Sequence, residues 1–208
     1  KGQIQKLKMP SVSTDQIPQS FRAYRPRFIR WLGRSLLYVL GWKVLGSIGE
    51  EHAEKNLVVI VAPHTSNWDG ILGVAAIAGL DARISFLGKD TAFKYGLGAF
   101  LKYMGGIPID RSNPSGVIND AIEKIRRING TLLGMSPEGT RSKVDAWKTG
   151  FLRIAKGIDA KIIPASLDFA KKEVLLGKTF TPTGDNKKDI LSLQDYYKGF
   201  TAKHPEKY

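Results

Sequence analysis

Cysteine is absent from this sequence of 208 residues. Its absence excludes a disulfide framework, a zinc site built from thiolates and a covalent acyl-enzyme on cysteine, and it is consistent with a reducing compartment. Histidine is scarce, because only His52, His64 and His204 occur, far apart and without a spacing typical of zinc proteins. We therefore expect neither a metal site nor a resident cofactor.

A long hydrophobic run is missing from the N-terminal region, and acidic residues are almost absent from it. Its longest unbroken apolar stretch, residues 36–42 with the glycine counted, is far shorter than the ~18 residues that cross a bilayer. Residues 1–45 hold nine Lys or Arg against one acid, Asp15, so they carry +8 of the net charge of +13. Such an excess indicates an anionic partner, which is a membrane surface, a nucleic acid or a phosphorylated substrate.

Residues 28–45 are predicted to form one amphipathic helix, preceded by a polar arm over residues 1–20 that we expect to be mobile. In helical projection one side is basic and the opposite side is apolar, and the basic side carries Arg27, Arg30 and Arg34. This pattern is typical of a helix that lies in a membrane interface, and a helix whose apolar side packs on a core is the alternative. The chain is thus divided into residues 1–50, with the arm and helix, and a domain over residues 51–208.

Strand-like and helix-like segments alternate along the second part. This alternation predicts an α/β fold, a single domain with a mixed, mostly parallel sheet flanked by helices. The predicted strands are residues 58–62, 83–87, a short edge strand within 105–111, 131–135, 161–169 and 174–176. The predicted helices are residues 69–79, part of 92–104, 115–128, 151–158 and 190–200.

The first strand is followed by a polar turn with two ionisable residues. Pro63 ends the apolar run, and His64 and Asp69 follow it before an alanine-rich helix. Such a turn can place the Asp69 carboxylate on one imidazole nitrogen, which fixes the tautomer and leaves the other nitrogen free as a base. The alternative is that Asp69 only caps the helix, since Ser66 and Asp69 fit the S-x-x-D capping pattern.

Three more stretches follow in order, namely GGIPIDR at residues 105–111, PEGTRS at residues 137–142 and IPA at residues 163–165. Together with the H-x-x-x-x-D pattern, over about residues 55–170, they make the chain resemble the glycerolipid acyltransferase family typified by bacterial 1-acyl-glycerol-3-phosphate acyltransferase. The resemblance implies the fold of glycerol-3-phosphate acyltransferase and a membrane-binding helical segment before it.

The resemblance also implies roles for single residues. The histidine of the first motif is the general base and its aspartate orients it, here His64 and Asp69. The arginine of the second motif binds the phosphate of the acceptor, here Arg111. The third motif shapes the acceptor site, and its residues here are Glu138, Gly139 and Arg141. The proline of the fourth motif lies near the acyl chain. Its counterpart here is Pro164, whose surroundings depart from the usual apolar run.

The implied reaction is acyl transfer from a thioester, acyl-CoA or acyl carrier protein, to the free hydroxyl of a lysophospholipid. The first candidate is 1-acyl-glycerol-3-phosphate, which would give phosphatidic acid. The implied location is peripheral, on the cytoplasmic face of the cell membrane, with an anionic membrane surface as a partner. The alternatives are another lyso-lipid acceptor, or a non-enzymatic protein of anionic surfaces or nucleic acid. We expect no nucleic-acid partner, because no such motif accompanies the basic residues.

Overall fold

The central strand β2 (Leu57–Ala62) is buried on both of its faces. Val59 belongs to one apolar cluster, while Val58 and Ile60 belong to another on the opposite face. A strand covered on both sides needs apolar residues at every position, which explains the unbroken run in the sequence. In this computed structural model the described residues are 12–94, 96–109, 114–126 and 130–208.

Seven strands form one sheet around β2. The others are β1 (Lys43–Leu45), β3 (Ile84–Lys89), β4 (Gly106–Ile109), β5 (Leu132–Met135), β6 (Lys161–Asp168) and β7 (Glu173–Leu176). Their order is β1-β7-β6-β2-β5-β3-β4. Strands β2 to β6 share one direction, whereas β7 is antiparallel to β6 and β1 is parallel to β7. The prediction of a mixed, mostly parallel sheet is therefore confirmed.

Helices cover both faces of this sheet. They are α1 (Arg27–Val39), α2 (Asn67–Leu80), α3 (Gly98–Tyr103), α4 (Pro114–Arg126), α5 (Gly150–Gly157) and α6 (Asn186–Tyr197). The cluster on one face includes Leu37 of α1 and Leu72 of α2, and the cluster on the other includes Phe151 of α5 and Tyr197 of α6. The helices and strands predicted between residues 58 and 200 agree with these bounds to within four residues where the chain is described.

The prediction of one helix over residues 28–45 was wrong for residues 40–45. Helix α1 ends at Val39, and Gly41 then takes a φ of 75°, which is favourable for glycine. Trp42 is buried and packs edge-to-face on Phe169, with ring centroids 4.9 Å apart. The chain reverses there because Trp42 joins the core, and residues 43–45 become the edge strand β1.

The prediction of a mobile arm was also wrong for the described residues 12–20. Val12 and Ile17 are 3% and 2% exposed, and both belong to the same apolar cluster as Leu37 and Leu72. Ser13 caps a short 3-10 helix, Thr14–Gln16, whose Gln16 amide donates to Val44 O at 3.0 Å. The division of the chain at residue 50 stays a prediction, although residues 12–48 contribute to the core of the whole domain.

Helix α1 turns its basic side towards the protein and its apolar side away from it. Arg34 Nε donates to Gly79 O at 2.9 Å, and Arg30 Nη1 lies 3.9 Å from Asp81 Oδ2. Gly33 permits this approach, because a Cβ there would lie 2.6 Å from Ala75 O. The outward residues are exposed, namely Phe28, Trp31, Leu32, Leu36, Tyr38 and Val39.

This orientation corrects two expectations. The apolar side of α1 does not pack on a core, because its large side chains are 40–79% exposed. Arg30 and Arg34 do not face outward, because they contact α2, whereas Arg27 is exposed. Among the described residues no helix has the length and apolar character that crossing a membrane requires.

Candidate active site

The turn from β2 to α2 stands at the carboxyl edge of the parallel strands. A cis peptide bond joins Ala62 to Pro63, and Ser66 is the N-cap of α2. Between them His64 is part-exposed, whereas the neighbouring Thr65 is buried. Ligands of α/β proteins bind at this edge of the sheet, so the turn lies where a reactive group is accessible.

The His64–Asp69 pair forms as the sequence predicts. His64 Nδ1 lies 3.2 Å from Asp69 Oδ2, with the imidazole 28% exposed and the carboxylate fully buried. The same Oδ2 atom accepts hydrogen bonds from the backbone N–H groups of Thr65 and Ser66, each at 2.7 Å. Ser66 Oγ donates to Oδ1 at 2.9 Å, and the two residues also form a capping box, in which each side chain accepts from the backbone N–H of the other. One carboxylate therefore makes both the capping contacts and the contact with the imidazole, so the two predicted geometries of Asp69 do not compete.

The charge of Asp69 fixes the imidazole tautomer. Burial by itself raises the pKa of Asp69, but the hydrogen bonds from His64 and Ser66 outweigh burial and hold that pKa below its ordinary value. The group is thus a carboxylate at neutral pH and can only accept hydrogen bonds. Nδ1 of His64 must then carry a proton, which leaves Nε2 as the nitrogen that can take one from a substrate.

Glu138 holds the backbone of the same turn from a neighbouring strand. The His64 N–H donates to Glu138 Oε2 at 2.9 Å and to Oε1 at 3.2 Å. Ser136 Oγ also donates to Oε2, at 3.3 Å. The Glu138 residue is only 4% exposed, and burial raises its pKa to about 7. No local pattern predicts this contact, since only the adjacency of β5 and β2 creates it.

The other predicted site residues do not all lie at the carboxyl edge of the sheet. Gly139 has a φ of 67°, and a Cβ there would lie 2.9 Å from Lys148 Cδ, so this turn requires glycine. Arg141 is exposed in the loop that follows. Pro164 is buried in β6 level with Ile60, inside the sheet and not at its carboxyl edge. Arg111 lies outside the described residues.

Two features near the turn were missed by sequence reasoning. The C-terminal segment reaches the site, because the His204 N–H donates to Thr65 Oγ1 at 3.1 Å. A cavity of about 300 Å³ lies beside Glu138 and is lined by Glu138, Ser142, Val144, Trp147, Gln194, Lys198, Lys207 and Tyr208. Both depend on how the end of the chain folds back over the sheet, for which no local pattern in the sequence is a signal.

Within the described part of the chain, no group of three or more His, Asp or Glu residues could hold a metal ion. An imidazole with a carboxylate on one ring nitrogen and the other nitrogen free is suited to taking a proton from a hydroxyl group.

Comparison with known proteins gives a consistent result. Residues 46–168 match the family model described as Acyltransferase. A 1-acyl-sn-glycerol-3-phosphate acyltransferase from Streptococcus pneumoniae is 29% identical over 140 residues, which are 64% of this chain and 52% of that protein. A relative from Mycoplasma pneumoniae, named a probable enzyme of the same kind, is 28% identical over 138 residues, 63% of this chain and 51% of that protein. The chain thus spans about half the length of these curated relatives.

A solved structure has the same fold. The crystal structure of the 1-acyl-sn-glycerophosphate acyltransferase PlsC from Thermotoga maritima superposes with a TM-score of 0.58 at 20% sequence identity. The match covers 83% of this chain and 78% of that chain. At this level of identity the likeness concerns the fold alone.

Proposed function

The chain belongs to the acyltransferase family, and on that premise we propose that it transfers a fatty acyl group from a thioester to the free hydroxyl of a lysophospholipid. The proposed acceptor is 1-acyl-glycerol-3-phosphate, and the product is then phosphatidic acid. The observation that carries the proposal is the His64 imidazole held through Nδ1 by the buried Asp69 carboxylate. The names of the two curated relatives support the same acceptor.

In the proposed reaction Nε2 of His64 takes the proton of the acceptor hydroxyl while its oxygen attacks the thioester carbonyl carbon. The new C–O bond gives a tetrahedral intermediate, which collapses as the C–S bond breaks. The imidazolium then returns its proton to the departing thiolate, so atoms and charges balance. Asp69 stabilises the imidazolium and keeps the ring in place. The thiol is that of coenzyme A or of acyl carrier protein, and neither donor is favoured by the geometry.

The proposed site for the acceptor phosphate is basic. Arg141 is exposed three residues after Glu138, and Arg111 is the residue to which the motif resemblance assigns phosphate binding. A guanidinium matches phosphate geometry through two parallel hydrogen bonds. Another phosphate-bearing lyso-lipid would meet the same groups, so the acceptor headgroup has to be settled by assay.

The outward side of α1 is proposed to dock on the cytoplasmic face of the cell membrane, without crossing it. Gly33 packs against Ala75 and Gly79, and Arg30 lies near Asp81, so α1 and α2 are antiparallel. The end of α1 therefore runs beside the beginning of α2, where Trp68 and Ile71 are each 45% exposed. This apolar surface extends to the turn that holds His64. Binding to anionic vesicles but not to single-stranded DNA at physiological salt would agree with a membrane partner and no nucleic-acid partner.

An acyl-transfer assay tests the reaction. The purified chain is given acyl-CoA or acyl carrier protein thioesters and a panel of acceptors, namely lysophosphatidic acid, three lysophospholipids with other headgroups, and glycerol-3-phosphate. We expect transfer to lysophosphatidic acid, and a loss of ~10²–10⁴-fold in the His64→Ala variant. Unchanged thermal unfolding of the variant is the control.

Two outcomes would contradict the proposal. A folded His64→Ala variant that keeps more than about a tenth of the rate would exclude a general base of this size. Faster transfer to a lysophospholipid with another headgroup would show that the acceptor assignment is wrong while the reaction class is right.

A further inference from the structure

The carboxylate of Glu138 is almost completely buried, yet among the described residues two of the three hydrogen bonds that it accepts come from one backbone group, the N–H of His64. Removing a carboxylate from water is unfavourable unless its hydrogen bonds compensate for the loss. Burial accordingly raises the pKa of Glu138 to about 7. A buried charge at this position therefore needs a reason beyond packing.

We propose that Glu138 is a positioning residue for His64, which acts by holding the His64 backbone N–H and so keeps the imidazole against Asp69. The inference rests on the proposed function insofar as His64 is the base. It differs from the role that the motif resemblance implies for Glu138, which is to shape the acceptor site. A residue of that kind would contact the substrate, whereas Glu138 contacts the chain that carries the base.

The strand arrangement explains why this contact is available. Strands β2 and β5 are parallel neighbours with Ile60 level with Met135, so the chain after β5 emerges beside the chain after β2. Pro63 has no N–H, and the His64 N–H is therefore the first backbone donor after the strand. Glu138, three residues beyond Met135, reaches it at 2.9 Å. Without Glu138 this donor would have no acceptor from β5 to hold it.

The contact fixes the turn at a point where small movements matter. His64 is anchored at its ring by Asp69 and at its backbone by Glu138, so two bonds from different elements define where Nε2 stands. A displacement of about 1 Å in a reacting group can reduce the rate ~10²-fold. Loss of the backbone anchor should therefore affect kcat and not the affinity for the acceptor.

Two conservative variants separate the effect of side-chain length from the effect of charge. Glu138→Gln keeps the length of the side chain and a carbonyl oxygen that can accept from the His64 N–H, but it has no charge. Glu138→Asp keeps the charge but is one methylene shorter. If position is what matters, Gln should retain kcat to within about tenfold, whereas Asp and Glu138→Ala should each lower it by ~10²-fold with the acceptor KM nearly unchanged. Glu123→Gln, an exposed glutamate on α4, is the matched control.

A spectroscopic measurement makes the test independent of turnover. The proton on His64 Nδ1 that is shared with Asp69 should give a downfield proton resonance in the wild type and in Glu138→Gln. We expect it to be lost or broadened in Glu138→Asp and Glu138→Ala. If Ala does not fold, the Gln and Asp variants still decide. If the wild type acylates none of the acceptors, the proposed function fails, while the resonance still tests the positioning role.

Three results would overturn the inference. One is a normal downfield resonance and normal kcat in Glu138→Asp. Another is a Gln variant as impaired as the Ala variant, which would assign the effect to charge. The third is a rise in acceptor KM with kcat unchanged, which is the result that direct contact with the acceptor produces.

Discussion

Replacing three outward residues of α1 with serine should detach the protein from membranes without unfolding it. Leu32, Leu36 and Val39 are 50%, 40% and 79% exposed, so roughly half of their combined surface is available for burial in lipid. Complete burial of such a side chain contributes ~1.5–3 kcal/mol, and the exposed half therefore roughly 1 kcal/mol. The triple variant should lose about 3 kcal/mol, which is about 100-fold in partitioning.

The assay is co-sedimentation with vesicles of neutral and anionic lipid over a range of salt. Apolar burial does not depend on salt, whereas attraction of a basic residue to an anionic surface, roughly 1 kcal/mol each, is screened within about 8 Å at physiological ionic strength. The triple variant should lose the salt-resistant binding. Arg27→Gln should reduce only the dependence on anionic lipid, because Arg27 is the exposed member of the three arginines.

Arg30→Gln is the structural control, because Arg30 lies 3.9 Å from the buried Asp81 carboxylate and is expected to affect thermal stability more than vesicle binding. Exposed substitutions usually change stability by less than ~0.5 kcal/mol, so the triple variant should unfold close to the wild-type temperature. A folded triple variant that binds vesicles as tightly as the wild type would refute docking through α1. A triple variant that unfolds would show that these side chains are packed, contrary to their exposure.

Two further predictions concern the buried carboxylates. Asp69→Asn should lower kcat by ~10²–10³-fold in the acyl-transfer assay, because an amide cannot stabilise the imidazolium of His64, and an unchanged kcat would contradict an orienting role. The pKa of Glu138 is about 7 in the folded protein against an ordinary value of 4.5. As pH rises, the unfolded chain therefore loses this proton at a lower pH than the folded protein does. The protonated Glu138 therefore contributes fully to the free energy of unfolding below pH 4.5. This contribution falls by about 3 kcal/mol as pH rises to 7 and above. As pH rises from 5 to 8, the unfolding temperature of Glu138→Gln should rise relative to that of the wild type. A difference in unfolding temperature that does not change with pH would contradict a buried charge. The ionisable groups near Glu138 are His64, Asp69, Tyr197, Tyr208 and, across the cavity, Lys198 and Lys207.

The contacts of the site that could be predicted from the sequence are those between residues close together in the chain. His64 and Asp69 are separated by one turn and the first residues of α2, so their contact needs only a strand, a turn and a helix in succession. The strand was predictable because both of its faces are buried and every residue is apolar. The capping pattern was predictable for the same local reason, and it turned out to coexist with the orienting contact.

The part that could not be predicted depends on which elements become neighbours. Glu138 reaches His64 because β5 is placed beside β2, and the order of strands is not encoded in any short pattern. Helix α1 shows the same limit, since periodicity separates a basic side from an apolar side but does not say which one faces the protein. The orientation was decided by Asp81 and by the small residues Gly33, Ala75 and Gly79, which let the two helices approach.

Helix α2 connects the proposed membrane surface to the proposed base, His64, and its composition follows from that position. It lies between α1 and the sheet, so most of its residues are small or apolar. Its C-terminal end is held by α1, through Arg34 on Gly79 O and Arg30 near Asp81, and its N-terminal end carries the turn with His64. The two helices have 13 and 14 residues, about 20 Å each, and run antiparallel. With α1 on a lipid surface, the end of α1 at Val39 would bring the first turn of α2 to that surface. An acceptor hydroxyl at the lipid headgroups would then stand next to Nε2 of His64, and the lipid would not have to leave the bilayer to react.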